Sequence, residues 1–300
     1  MTGSSPTSPP TSTSWSTSDP AATRVGGLVR LVHPFPSLLD GLVVAAVAML
    51  AGSPLLPGAL ALGFSMTLLQ FAIGALNDVH DASTDGGRIP PKPIPSGLVS
   101  ADVARLVVVG AAAGGLILAA SYGTGLLLLA GLVLVIGFGY DLVARGTVWS
   151  WLPFALGIPI LPVFGWFGAT GAVPVWALAL VPAAACAGAA LAVANARADA
   201  DRDAATGVVT IATRLGDAGS RLALVVAWGV AAAIAVAWLI GGRADPASVA
   251  AVLLSCLIIG LGVAFGWRGS ADRLEWAWRI QAVGAAVTSV TWLAATVALG

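Results

Sequence analysis

Apolar residues in this chain do not alternate with polar ones. They run together for the length of a helix and are then cut by short polar connections. Nine such runs follow one another, at residues 38–51, 56–77, 103–121, 125–140, 151–167, 175–195, 222–240, 247–267 and 276–299. A helix needs about 20 apolar residues to cross a bilayer core of about 30 Å, so the pattern predicts an all-α polytopic membrane protein with nine transmembrane helices. The first run is short, and its helix is expected to begin within residues 30–37, which hold Pro34 and Pro36. Pro159, Pro162 and Pro182 fall inside expected helices, where neighbouring helices can satisfy the backbone groups that a kink releases. Residues 1–24 are rich in Ser, Thr and Pro, bury no core, and are expected to form a disordered tail ahead of a membrane domain over 25–300. The tail has neither the basic nor the apolar region of a signal peptide.

Composition sharpens this picture. Apolar residues make up 58% of the chain and charged residues 9%, where a soluble protein carries about 25% charged residues. The formal net charge is zero and no basic stripe is present, which excludes a nucleic-acid partner as an expectation. Cys186 and Cys256 both lie in apolar runs and read as free packing residues, with no zinc or disulfide spacing. Of the 14 basic residues, all but Arg243 fall in the N-terminal segment, in the connections after even-numbered runs, or (Arg105 and Arg279) within the first four residues of the run that follows. The positive-inside rule then puts the N-terminus and those connections in the cytoplasm, and the C-terminus outside the cell membrane.

The chemistry concentrates in residues 77–97, NDVHDASTDGGRIPPKPIPSG. Asp78, Asp81 and Asp85 are spaced three and four apart, which puts them on one face of a helix prolonged by a turn. Carboxylates this close, at the mouth of an apolar segment, call for a counter-cation. A hard divalent ion, Mg²⁺ foremost, suits them, and its preferred further ligand is phosphate. Arg88 and Lys92 follow as candidate phosphate contacts. His80 points off that face, His33 reads as an interfacial residue, and Asp40 either lines the interior or reaches the headgroups. The sixth run ends likewise, in residues 195–216, NARADADRDAATGVVTIATRLG, with Asp199 and Asp203 on one face, Asp201 and Arg202 between them, and Gly207 closing the turn. Two acidic corners four helices apart read as a diverged internal repeat sharing one cavity.

These motifs resemble the UbiA superfamily of intramembrane prenyltransferases, the family of 4-hydroxybenzoate polyprenyltransferase. Asn77, Asp78, Asp81 and Asp85 match N-D-x-x-D-x-x-x-D, and Arg88, Lys92, Pro93, Pro95, Ser96 and Gly97 match the element after it. Asp199, Asp203, Gly207, Thr210, Arg214, Leu215 and Gly216 match the second signature. The chain departs from the family at Ala144, where Y-x-x-x-K-R would place a lysine between Tyr140 and Arg145, and at His33–Pro34, where Arg-Pro is frequent.

The resemblance implies Mg²⁺-dependent transfer of a prenyl group from an allylic (poly)prenyl diphosphate to an aromatic or other small acceptor within the bilayer, in quinone or related prenyl-lipid synthesis. Asp78, Asp81, Asp85, Asp199 and Asp203 would hold the metal. Asn77, Arg88, Lys92, Tyr140, Arg145, Asn195 and Arg202 would contact substrate. The leaving diphosphate carries about three negative charges and needs positive charge placed beforehand, and the cation left behind needs a dry cavity. A terpene cyclase of the same superfamily, acting without acceptor, shares these requirements. A transporter with an acidic substrate site is the reading from another class, although such sites usually lie near the midplane. A CDP-alcohol phosphotransferase is excluded, because Ala82 and Ser83 follow Asp81 where its D-G-x-x-A-R core is required.

Overall fold

The computed structural model describes residues 20–52, 56–86 and 91–299, and every regular element among them is helical. In chain order these are α1 (Pro20–Leu31), α2 (Pro34–Leu50), α3 (Leu56–His80), α4 (Ala101–Ala120) and α5 (Thr124–Gly139). A π-helical turn, Tyr140–Ala144, prolongs α5. Then come α6 (Leu152–Gly157), α7 (Ile160–Thr170), α8 (Ala177–Thr206), α9 (Ile211–Gly241), α10 (Pro246–Phe265) and α11 (Ala271–Val297). Eight helical stretches among the described residues are long and apolar enough to span a bilayer, with α6 and α7 counted as one, and the bent pair α1–α2 makes a ninth.

The bend of 54° between α1 and α2 has a local cause. His33 adopts a left-handed conformation (φ 48°), and Pro34 then opens α2, where its missing N–H costs nothing. Helix α1 begins at Pro20 and takes in residues 20–24, which composition assigns to the tail; the rest of that tail lies outside the described residues. Gly216 (φ 65°) breaks α9 after its first turn, so the span expected to start at residue 222 is preceded by a short helical piece. Pro182 sits inside a continuous α8, which runs through the second acidic motif and is closed by Gly207 in the left-handed conformation.

The outward faces carry large apolar side chains, among them Leu106, Ile117, Val143 and Leu254, all mostly exposed, while Ala48, Ala59 and Ala72 are fully buried between helices. That inversion suits a hydrocarbon solvent, in which small residues let helices approach and van der Waals contact holds them. At the α2–α3 crossing a Cβ on Gly63 would lie 2.5 Å from the Gly41 carbonyl oxygen, and one on Gly41 would lie 2.0 Å from Thr67 Oγ1. Ser65 Oγ donates to the Gly115 carbonyl at 2.8 Å, joining α3 to α4, and Trp292 Nε1 donates to the Ala235 carbonyl at 2.9 Å, joining α11 to α9. Trp176, at the start of α8, is buried edge-on to Trp166, whereas Trp149 is exposed.

Helices α2, α3 and α4 pack in succession, as do α8 with α9 and α10 with α11. Helix α2 also packs on α7 and α11, and α8 packs on α6 and α11, so the helices close around an interior space. That space is a cavity of about 750 Å³ walled by α2, α7, α8, α9, α10 and α11.

Candidate active site

Helix α3 delivers the first acidic corner. Its hydrogen bonding continues past His80, with the Asp81 N–H bonded to the Asn77 carbonyl at 3.0 Å and the Asp85 N–H to the Asp81 carbonyl at 2.9 Å. The helix thus extends by a turn, as the spacing of the three acids requires. Their side chains nevertheless divide. Asp78 is buried, and its Oδ1 accepts from Lys92 Nζ at 2.6 Å and lies 2.9 Å from His33 Nε2. Asp81 turns the other way, into an ion pair with Arg145, with His80 Nδ1 3.1 Å from its second oxygen. Asp85 is buried at the end of the turn.

The π-turn supplies the middle of the site. The Arg145 N–H bonds to the Tyr140 carbonyl at 2.8 Å, five residues back. A five-residue turn stacks position 145 over Tyr140, where an α-helix would place 144. Arg145, the arginine of the Y-x-x-x-K-R pattern, is the cation that this turn sets against Asp81, while Ala144 brings none. Burial works against its charge, but Tyr140, Asp81, Asp141 and Asp85 around it more than offset this, and the guanidinium is held protonated more firmly than an ordinary arginine. Asn77 Nδ2 donates to Asp141 Oδ1 at 2.9 Å, and Asp141 is buried.

Helix α8 delivers the second corner. Asp199 pairs with Arg202 Nη2 at 3.0 Å on the half-exposed end of the helix, with Asp203 one turn further and Asn195 one turn back. Arg197, buried between them, donates to the Gly266 carbonyl at 3.0 Å and to Asp217 at 3.0 Å, tying this end of α8 to α9 and to the connection after α10. The Tyr140 phenol lies within electrostatic reach of both Asp81 and Asp199.

Of the sequence-predicted residues, Asp81, Tyr140 and Arg145 stand together, with Asp199 within electrostatic reach of Tyr140, while Asp78 and Lys92 form a separate cluster and Asp199 pairs with Arg202. Arg88 lies outside the described residues. His33, read as interfacial, is bonded to Asp78, and His80 reaches Asp81 despite its place off the expected face. Asp141 and Arg197 were missed. An acid at the end of an apolar run, with Leu142 and Val143 directly after it, is itself a signal, and Asp141 carries it, whereas Arg197 is indistinguishable in sequence from the other basic residues on that side.

The donors are hard carboxylate oxygens, and Asp78 Oδ2 and Asp141 Oδ2 are buried with no hydrogen-bond partner. Among the described residues no three acidic or histidine side chains stand close enough to cage a metal. Such a set fits a divalent ion that takes one or two carboxylates and completes its shell with substrate phosphate.

The family model described as the UbiA prenyltransferase family matches residues 41–283. The chain belongs to the UbiA prenyltransferase family. Its fold is that of solved UbiA homologues. The apo homologue from Aeropyrum pernix K1 is 23% identical, with a TM-score of 0.69 over 85% of this chain and 96% of that one. A homologue from Archaeoglobus fulgidus bound to GPP and Mg²⁺ is 19% identical, with a TM-score of 0.65 over 88% and 99%. Digeranylgeranylglyceryl phosphate synthase is 11% identical, with a TM-score of 0.69 over 92% and 99%. No curated protein matches the chain significantly.

Proposed function

We propose that this UbiA-family protein transfers a prenyl group from an allylic prenyl diphosphate to an aromatic or other small lipid-precursor acceptor inside the bilayer, with Mg²⁺ as cofactor. The observation that carries the reading is that Tyr140 lies within electrostatic reach of one acid of each corner, Asp81 and Asp199, beside the Arg145–Asp81 ion pair. A Mg²⁺-bearing UbiA homologue with GPP supports the choice of metal and donor. Asp78, Asp81 and Asp85 from one corner and Asp199 and Asp203 from the other would hold the metal, which supplies Lewis-acid stabilisation of the departing diphosphate.

The chain's own residues do the rest. Arg145 and Arg202 each rest on an acid of the site, so a diphosphate arriving there meets guanidinium groups already in place, able to bind it through two N–H donors. Lys92 adds charge beside Asp78, Arg88 is a further candidate contact from its place in the motif, and Asn77 holds Asp141 through its amide. Tyr140 packs edge-on to Phe154, with ring centroids 5.4 Å apart, and presents an aromatic face where the prenyl carbocation forms. The apolar cavity keeps water from that cation and admits the prenyl tail.

We place the acidic corners on the cytoplasmic face of the cell membrane, with the N-terminus inside and the C-terminus outside, and the reaction within quinone or related prenyl-lipid synthesis. The basic residues support the orientation, because Arg145, Arg197, Arg202 and Lys92 gather around the corners while Arg243 lies between α9 and α10. Incubating the purified protein with geranyl diphosphate, Mg²⁺ and a panel of phenolic and polyol acceptors, followed by mass spectrometry, tests the reading. Prenylated acceptor is the expected product. Cyclic hydrocarbon released without acceptor would identify a cyclase instead.

A further inference from the structure

The cavity wall carries one charged side chain among the described residues, Asp40 of α2. Its neighbours on the wall are apolar, Leu39, Val43 and Leu161 among them, and the other polar groups there (Cys256, Thr288, Ser289) are uncharged. Burial is the sole influence on this carboxyl, and no described residue gives it a hydrogen bond or an ion pair. Small apolar residues could fill its place without cost, yet a carboxyl group facing hydrocarbon is unfavourable unless something bonds to it.

Its depth says which ligand that is. Asp40 lies seven residues beyond His33, which touches Asp78, so it stands two helical turns, about 10 Å, inward from the acidic corner along α2. The prenyl diphosphate has nothing to offer at that depth. Its polar end is an anion claimed by the corners and their arginines, and the remainder is hydrocarbon. The group that meets Asp40 therefore belongs to the second substrate.

We propose that Asp40 is the polar anchor of the acceptor, taking a hydrogen bond from a hydroxyl or N–H group on an otherwise apolar molecule and turning away acceptors that would present a carboxylate there. The inference rests on the reading that this cavity receives the substrates of prenyl transfer. Two carboxyl groups brought together in a medium of low dielectric repel or must share a proton, so the same side chain that welcomes a phenol or an alcohol discriminates against a benzoate.

Binding tests this without turnover. Trp228, Trp267 and Trp292 line the cavity, so tryptophan fluorescence of the full chain in nanodiscs can follow titration with 4-hexylphenol and with 4-hexylbenzoate. The wild-type protein should bind the phenol about tenfold more tightly than the benzoate. Asp40→Leu should weaken phenol binding about tenfold. Asp40→Asn, which keeps the volume and an acceptor oxygen, should keep the phenol and lose the discrimination against benzoate; if the leucine variant fails to fold, this variant decides alone. Equal wild-type affinities, no saturable phenol binding, or a phenol preference that survives in the folded variants would overturn the proposal. Absence of prenyl transfer by the wild-type protein in the separate product assay would count against the proposed function and leave this binding contrast standing.

Discussion

Asp81 and Arg145 face each other across the site, and their charges cancel until a ligand divides them. Such a pair keeps a buried guanidinium in place before substrate arrives, which is the preorganisation that ionisation of a diphosphate needs. Arg145→Ala should lower the rate of prenyl transfer about 10²–10³-fold, while Arg145→Lys should recover part of it, as read by product formation under saturating donor. Asp78 makes a different prediction. It is buried against Lys92, and a buried pair that loses one member leaves an uncompensated charge costing about 3–5 kcal/mol. Lys92→Met should therefore lower thermal stability markedly, and Lys92→Met with Asp78→Asn should restore most of it. The melting temperature in detergent checks both. The residue types and spacings of the two motifs were legible in the sequence. Which acid each cation would choose was not, because a pairing such as Asp81 with Arg145 depends on a helix 64 positions away in the chain.

At the scale of elements, the π-turn at the end of α5 decides what the departure at Ala144 means. The turn sets Arg145 against Asp81 and leaves Ala144 without a charge to offer. Moving the charge back should fail: Ala144→Lys with Arg145→Ala should remain as inactive as Arg145→Ala alone, whereas recovery of product formation would show that the turn's register does not matter. The sequence could not disclose this turn, since five-residue turns have no composition of their own and run on smoothly from an apolar helix. The close crossing of α2 and α3 is similar. The 37 glycines of the chain suit close helix packing in lipid, but their number does not say that Gly63 meets the Gly41 carbonyl. Gly63→Ala should cost about 1–3 kcal/mol through overpacking, visible as a lower melting temperature with the metal site's chemistry unchanged.

At the scale of the molecule, nine apolar runs were enough to define the class, and the asymmetry of basic residues supported the count of nine, because a miscounted helix would have scattered those charges over both faces. What hydropathy could not reveal is how α1 and α2 share one span. A left-handed histidine followed by proline breaks the pair, and that same histidine then reaches Asp78. The bend thus couples the entrance of the chain into the membrane to the first acidic corner. A cavity shared by the corners was expected, but its lining, Asp40 apart, was not legible for a related reason: the wall is assembled from six helices, whose residues read as ordinary core.

The central claim is that the two acidic corners form a single metal–diphosphate site. The most direct measurement is a structure of the protein with Mn²⁺ in place of Mg²⁺ and a non-ionisable prenyl thiodiphosphate, with the metal located by its anomalous scattering. The account predicts Mn²⁺ and diphosphate between the corners, in contact with carboxylates of both Asp81 and Asp199. Metal and diphosphate held by one corner, with the other corner's carboxylates touching neither, would contradict it.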